Sequence, residues 1–243
     1  MELTQGVRFD TLELSPEILR ALMERNIVQS TPVQAGCIPP MLAWRDVIAK
    51  APTGTGKTCA FGIPVIESLN QELARPQTVV LAPTRELAQQ IAGDLEDLAH
   101  FMPAVRIACV YGGANMQGQI DRLKKGCQIV VATPGRLMDH YKRRTIDVSA
   151  VETVVLDEAD EMLNMGFYKD VRHIIEMMKA RKSLSMFSAT ISREVMDIHK
   201  DMNLVGICNV ENVMAALAIS EAFGVPEQTV LAVIRGFHAV EHR

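Results

Sequence analysis

A doubly wound α/β architecture, with a mostly parallel sheet covered by helices on both faces, is what this sequence predicts, and three observations carry it. Short runs rich in Val, Ile and Leu recur along the chain, at 47–49, 78–82, 106–111, 128–132, 153–156 and 184–187. Most are continuously apolar instead of alternating, as in strands buried on both faces. Helical patterns such as 85–101 and 167–179 separate them, and strand–helix alternation of this kind closes through right-handed crossovers into a parallel sheet.

With 243 residues, 48% of them hydrophobic, the chain can build one large α/β domain, with or without an appendage. No apolar stretch reaches the roughly 18 residues of a membrane span. The N-terminus lacks a basic-then-apolar export signal, so a cytoplasmic protein without a membrane partner is expected. Five cysteines (Cys37, Cys59, Cys109, Cys127 and Cys208) are scattered without C-x-x-C spacing, which favours buried reduced thiols over a zinc site. The formal net charge is −4. Proteins that grip nucleic acid through bulk charge are basic, so such a partner here requires local cations and salt-sensitive contacts.

The first strand, preceded by Asp46, leads into Ala51-Pro52-Thr53-Gly54-Thr55-Gly56-Lys57-Thr58, and a helical pattern follows over 59–69. Strand, Gly-rich loop and helix in this order form a phosphate-binding loop: backbone N–H groups converge on anionic oxygens, and the helix N-terminus adds a favourable dipole. Lys57 would reach the β- and γ-phosphates and the Thr58 hydroxyl would ligate Mg²⁺. Ala51 stands where the usual pattern has Gly.

The remaining strands each end in a polar cluster. Pro83-Thr84-Arg85-Glu86-Leu87-Ala88 follows the second, Gly112-Gly113 the third and Thr133-Pro134-Gly135-Arg136 the fourth; Asp157-Glu158-Ala159-Asp160 follows the fifth and Ser188-Ala189-Thr190 the sixth. In open α/β sheets ligands bind at the carboxyl ends of the strands, so the clusters compose one site. Asp157, at the end of a buried strand, can hold Mg²⁺ through water, and Glu158 can orient or deprotonate an attacking water. Taken alone, the two acids could equally cap the next helix.

Gln34 within Thr31-Pro32-Val33-Gln34, the loop at 51–58 and the five clusters occur in the order and spacing of a DEAD-box RNA helicase, and residues 1–198 or so resemble the first of that family's two RecA-like domains. The resemblance implies a RecA-like P-loop NTPase fold, with residues 1–36 as the segment bearing the glutamine motif and 37–202 as the ATP-binding domain. It implies ATP and Mg²⁺ as ligands, with Lys57, Asp157 and Glu158 catalytic and Thr58 and Asp157 at the metal. Phe9, Gln34, Thr53, Gly54, Thr55, Gly56, Lys57 and Thr58 would bind ATP. Gln34 would read the adenine edge, since a carboxamide both donates and accepts, and Phe9 would stack on the base, with a core anchor as its alternative. Thr84, Arg85, Gly112, Gly113, Thr133, Gly135 and Arg136 would hold the RNA backbone, a mode without base information; for Arg136 an internal carboxylate partner stays open. Asp160, Ser188 and Thr190 would couple the acidic motif to domain movement, the two hydroxyls alternatively capping a helix near Ser192. The basic run Lys142-Arg143-Arg144 reads as a solvated helix end.

No motif of the family's second RecA-like domain follows Thr190, so weak nucleotide binding, feeble RNA affinity and little turnover are expected of this chain without that partner. Beyond Ile198 the resemblance changes. Asn209-Val210-Glu211-Asn212 and Gly236-Phe237-His238 through His242-Arg243 look like a Mur-ligase central-domain fragment over 203–243, departing from that family at Cys208 and lacking its phosphate loop. A short, mainly helical tail is expected, from a fusion or a truncated reading frame with its junction near 198–200, with a strand at 204–208 and helices at 213–223 and 226–237. Two other readings stand beside the helicase one: a non-catalytic RNA- or protein-binding module on the same fold, and an ATP-dependent ligase fragment.

Overall fold

The computed structural model describes residues 6–192 with Val195, Asp197 and Ile198. Two units, Met1–Met202 and Asn203–Arg243, divide the chain, and the described residues belong to the first. The expectations for 203–243 lie outside the described residues.

The first unit begins with α1 (Pro16–Glu24) and α2 (Pro32–Leu42). Ser15 caps α1 by accepting from Ile18 N–H, and Thr31 and Gln34 form a reciprocal capping box on α2, which fixes where each helix starts. Then come β1 (Val47–Lys50), α3 (Lys57–Glu67), β2 (Thr78–Leu81), α4 (Arg85–Leu98), β3 (Ile107–Val110), α5 (Met116–Lys124) and β4 (Ile129–Ala132). The series continues with α6 (Pro134–Lys142), β5 (Thr153–Leu156), α7 (Ala159–Asn164), α8 (Tyr168–Met177) and β6 (Ser183–Ser188). Every strand read from the sequence is present, trimmed or extended by a residue or so. At 128 the strand starts late because the buried Gln128 side chain bonds Arg106 N–H and the carbonyls of Ala104 and Gln71. The third helix starts at Lys57, two residues earlier than expected, because Gly56 acts as its N-cap in a left-handed conformation.

The strands form one sheet in the order β1-β6-β5-β2-β4-β3, every pair parallel. Register leaves the carboxyl ends flush: Lys50 lies opposite Ser188, Leu156 opposite Met186, and Leu81 opposite both Leu156 and Ala132. All four residues of β2, β4 and β5 are buried, which explains their unbroken Val/Ile/Leu character. On one face Phe61 of α3 tilts against Phe187 of β6, ring centroids 5.3 Å apart, and Leu95 and Leu98 of α4 complete that layer. Apolar burial on this scale supplies most of the fold's stabilisation and holds the polar edge in a fixed frame.

Candidate functional site

Sheet order sorts the polar clusters into two groups. The neighbours β1, β6 and β5 carry the phosphate loop, Ser188–Thr190 and Asp157–Asp160; β2, β4 and β3 carry Thr84-Arg85, 133–136 and Gly112-Gly113. One edge of the sheet therefore has two adjoining halves, meeting between β5 and β2.

In the first half, Gly54 and Gly56 adopt φ of 80° and 84°, values that L side chains rarely take. A Cβ on Gly56 would also stand 2.4 Å from Gln34 Nε2, so a side chain there would be strained and would displace that amide. The loop is braced from below: Thr55 Oγ1 donates to Pro52 O at 2.8 Å and Thr31 Oγ1 donates to Thr55 O at 2.9 Å. Thr53 and Gly54 are exposed and Thr58 is half-buried in the first turn of α3.

Lys57 is 7% exposed, with Nζ 3.4 Å from Asp157 Oδ1 and 3.9 Å from Glu158 Oε1. These are charge contacts without a well-directed hydrogen bond, so a buried ammonium is left with its donors unmatched. Buried cations without acceptors are costly, and phosphate oxygens above the loop would satisfy this one. Asp157 is 2% exposed and is tethered by its own N–H to Leu81 O and by Oδ1 to Glu158 N–H. Burial raises its pKa, against the opposing pull of Lys57. Glu158 is also raised, by burial first, with Lys57 opposing and Asp157 and Asp160 adding to the rise. Among the described residues no group of three His, Cys, Asp or Glu side chains is arranged to hold a metal; a Mg²⁺ ion here would take most of its ligands from phosphate and water, its usual habit.

Glu158 sits at φ 51°, ψ 51°, left-handed backbone that costs a non-glycine residue roughly 1–2 kcal/mol. Such outliers concentrate at functional sites.

Asp160, Ser188 and Thr190 form one closed network. Ser188 Oγ accepts from Asp160 N–H at 3.1 Å and donates to Thr190 O at 2.6 Å, while Thr190 N–H and Oγ1 both donate to Asp160 Oδ2 at 2.8 Å. Burial acts to raise the Asp160 carboxyl, but the hydrogen bonds from Thr190 and Ser188 together outweigh it and hold it below the ordinary range. Its contribution to stability is thus present above the unfolded-state value and lost as pH falls through the lowered one. Ser188 is fully buried, and its carbonyl accepts from Ala51 N–H at 2.8 Å, tying the network to the phosphate loop. Ser188→Ala is expected to destabilise the domain by about 1–3 kcal/mol, since it orphans the Asp160 N–H; urea unfolding would measure it.

In the second half, Thr84 caps α4 by accepting from Leu87 N–H. Arg85 is exposed beside Glu86 and extends toward Gly113. Gly112 and Gly113 are exposed, Gly113 at φ 82°. Thr133 is the N-cap of α6, and Gly135 has open space where a side chain would be.

Three of the expected site residues turn inward, into the protein. Phe9 is 2% exposed within the apolar core, so its ring anchors the N-terminal segment and offers no open face to a base. Gln34 is also buried: its Oε1 accepts from Thr31 N–H at 2.8 Å and its Nε2 donates to Gly56 O at 3.0 Å, so one end of the amide closes the cap of α2 and the other braces the loop. Arg136 points inward, its side chain 12% exposed, and Nη1 donates to Ala114 O and Gln119 Oε1. The carboxylate partner weighed for it is present as well, since Nε lies 4.0 Å from Asp139 Oδ2. Thr31 escaped notice as a site residue, although Thr-x-x-Gln is a legible capping box. Gln119 and the left-handed Glu158 carry no sequence signal.

The family described as DEAD/DEAH box helicase matches residues 31–198. The chain is similar to the ATP-dependent RNA helicase DeaD of Buchnera aphidicola, 45% identical over 192 residues, covering 79% of this chain and 32% of that protein. It is likewise similar to the DEAD-box ATP-dependent RNA helicase CshA of Bacillus licheniformis, 46% identical over 185 residues, covering 76% and 38%. A crystal structure of a DEAD box protein from the hyperthermophile Methanococcus jannaschii superposes with a TM-score of 0.76 at 40% identity, covering 82% of this chain and 55% of that one. The chain thus spans about a third of the length of the relatives it matches in sequence.

Proposed function

The chain belongs to the DEAD/DEAH box helicase family, and from that premise we propose that it forms the ATP- and RNA-backbone-binding half of a cytoplasmic RNA helicase, working with a second RecA-like domain. One observation carries the reading: loops from β1 and β5, separated in the sheet by β6, bring Lys57 Nζ to 3.4 Å from Asp157 Oδ1. In that mechanism the N–H groups of 53–58 and the Lys57 ammonium receive the triphosphate. The Thr58 hydroxyl and, through water, Asp157 would hold Mg²⁺, which would supply charge neutralisation at the phosphates. Glu158 accepts the proton of the attacking water. Gln34 keeps a second N–H on Nε2 and a second lone pair on Oε1 beyond its bonds to Gly56 O and Thr31 N–H, so it can meet an adenine edge while still bracing the phosphate loop.

RNA is held on the second half by the N–H groups of Gly112, Gly113 and Gly135, by the Thr84 and Thr133 hydroxyls and by Arg85, all directed at backbone, so binding is independent of sequence. Arg136 contributes by holding its loop. Asp160, Ser188 and Thr190, at the ends of β5 and β6 within the first half, relay the state of the nucleotide site to the rest of the enzyme.

The test is complementation. The chain is mixed with a separately made second RecA-like domain from a DeaD-type helicase, with and without single-stranded RNA, and ADP release is followed. RNA-dependent turnover only in the complete mixture is expected, because a trans-supplied arginine contributes roughly 10³–10⁵ in rate in other phosphoryl-transfer systems. Failure of the chain to bind ATP, or turnover indifferent to RNA, would overturn the reading.

A further inference from the structure

The two loops that present glycines to RNA come from β3 and β4, and one buried side chain joins them. Gln119, on α5, is 5% exposed. Its Nε2 donates to Tyr111 O at 3.0 Å, the carbonyl directly before Gly112-Gly113. Its Oε1 accepts from Arg136 Nη1 at 3.3 Å and pairs with His140 Nε2 at 3.0 Å, both on α6. Chemistry fixes the amide's orientation: a carbonyl can only accept and a guanidinium can only donate. The Gln119 oxygen therefore faces His140 and places the imidazole proton on Nε2, leaving Nδ1 to face the Thr145 hydroxyl at 2.8 Å. Arg136 Nη1 adds a second tie, to Ala114 O at 3.2 Å.

Beside this junction lies a cleft of about 190 Å³ bounded by Tyr111, Ala114, Asn115, Gln119 and Arg122 among others. The loop above it carries two adjacent exposed glycines, the residues with the most backbone freedom. Without the amide, that loop has both the entropy and the room to sink, and ordering it again would weigh against any ligand.

We propose that Gln119 is a positioning residue for RNA-backbone binding, a buried latch that holds the Gly112-Gly113 loop and the 133–136 loop at one spacing. The proposal rests on the RNA-binding reading given above. A neutral His140 suits it, since burial, aided by Arg136, disfavours the charged imidazole.

The experiment uses the intact chain complemented with the second RecA-like domain, a fluorescein-labelled single-stranded oligouridine read by anisotropy at low salt, ATP read by calorimetry, and ¹⁵N-labelled histidine in the chain. Gln119→Leu is expected to weaken RNA binding about tenfold, the effect of losing hydrogen bonds to a buried carbonyl and a guanidinium, with ATP affinity unchanged. Its His140 should lose the Nε2–H tautomer that the parent shows. Gln119→Glu keeps an acceptor for Arg136 and His140 but sets an oxygen against Tyr111 O, so it should retain the tautomer and weaken RNA by an intermediate factor. Should the Leu variant not fold, the Glu variant decides alone by the same criterion. Unchanged RNA affinity, or parallel loss of RNA and ATP binding, would overturn the latch. A complemented parent that binds ATP but no RNA would instead bring down the RNA reading, and the latch with it.

Discussion

In the complemented enzyme, Glu158→Gln is expected to lower ATP turnover by roughly 10²–10⁴-fold, the usual worth of a positioned general base, while ATP affinity is held. The amide keeps the size of the carboxylate and the left-handed backbone at φ 51° but cannot take a proton. The charge it removes lies 3.9 Å from Lys57 Nζ, farther than Asp157 at 3.4 Å, so the ammonium keeps its nearer partner and the phosphate loop its shape. Single-turnover hydrolysis, with ATP binding measured separately, would check the split. A variant that turns over like the parent would remove Glu158 from the chemistry.

The pH profile gives the same assignment an independent check. The base works only when ionised, and burial raises its pKa. Parent turnover should therefore rise with pH through a value above the ordinary glutamate range of about 4.3. Asp157 is raised as well, again by burial first, so the acid limb belongs to the pair. Glu158→Gln should flatten that limb to the part Asp157 contributes.

How much of this was legible beforehand depends on what kind of interaction each feature uses. The strands were readable because β2, β4 and β5 are buried throughout, which leaves an unbroken apolar run in the sequence. Ser183 and Ser188 broke that pattern at the ends of β6, yet belong to the strand because Thr153 Oγ1 and the Asp160 N–H give their hydroxyls partners. The phosphate loop and the acidic motif were readable because their glycines, lysine and carboxylates have few chemical substitutes. Strand order was not: β1 and β6 pair across 138 residues of chain, from Val47 to Ser185, and no local pattern encodes that choice.

Side-chain direction was the other blind spot. Arg136 and Phe9 stand where spacing put them, but one turns in toward Gln119 and the other into the core. Position along a strand edge says which residues are near a site. Whether each faces it depends on contacts with elements remote in sequence, as between Gln34 and Gly56 O.

Lys57→Met should produce two separable losses. Truncating one partner of a buried charge contact costs about 2–5 kcal/mol, so ATP affinity should fall between roughly thirtyfold and several thousandfold. The second loss is stability, because Asp157, 2% exposed, would keep a buried charge with its counter-ion gone. Burial already raises the Asp157 pKa while Lys57 restrains it; removing the lysine lets it climb further. A carboxyl raised in the folded state binds its proton more tightly there than when unfolded, so stability falls as pH rises from the ordinary aspartate value of about 3.9 to the raised one. Parent and variant share that fall up to the parent's own raised value, so the stability gap between them should widen only from there to the variant's higher one. Adding Asp157→Asn to Lys57→Met removes the stranded charge and should recover stability at neutral pH without recovering ATP binding. Thermal unfolding across pH, paired with ATP calorimetry on parent, single and double variants, reads both. If the single variant matched the parent in both readouts, the 3.4 Å contact would be incidental, and the nucleotide site would have to be sought elsewhere on the sheet edge.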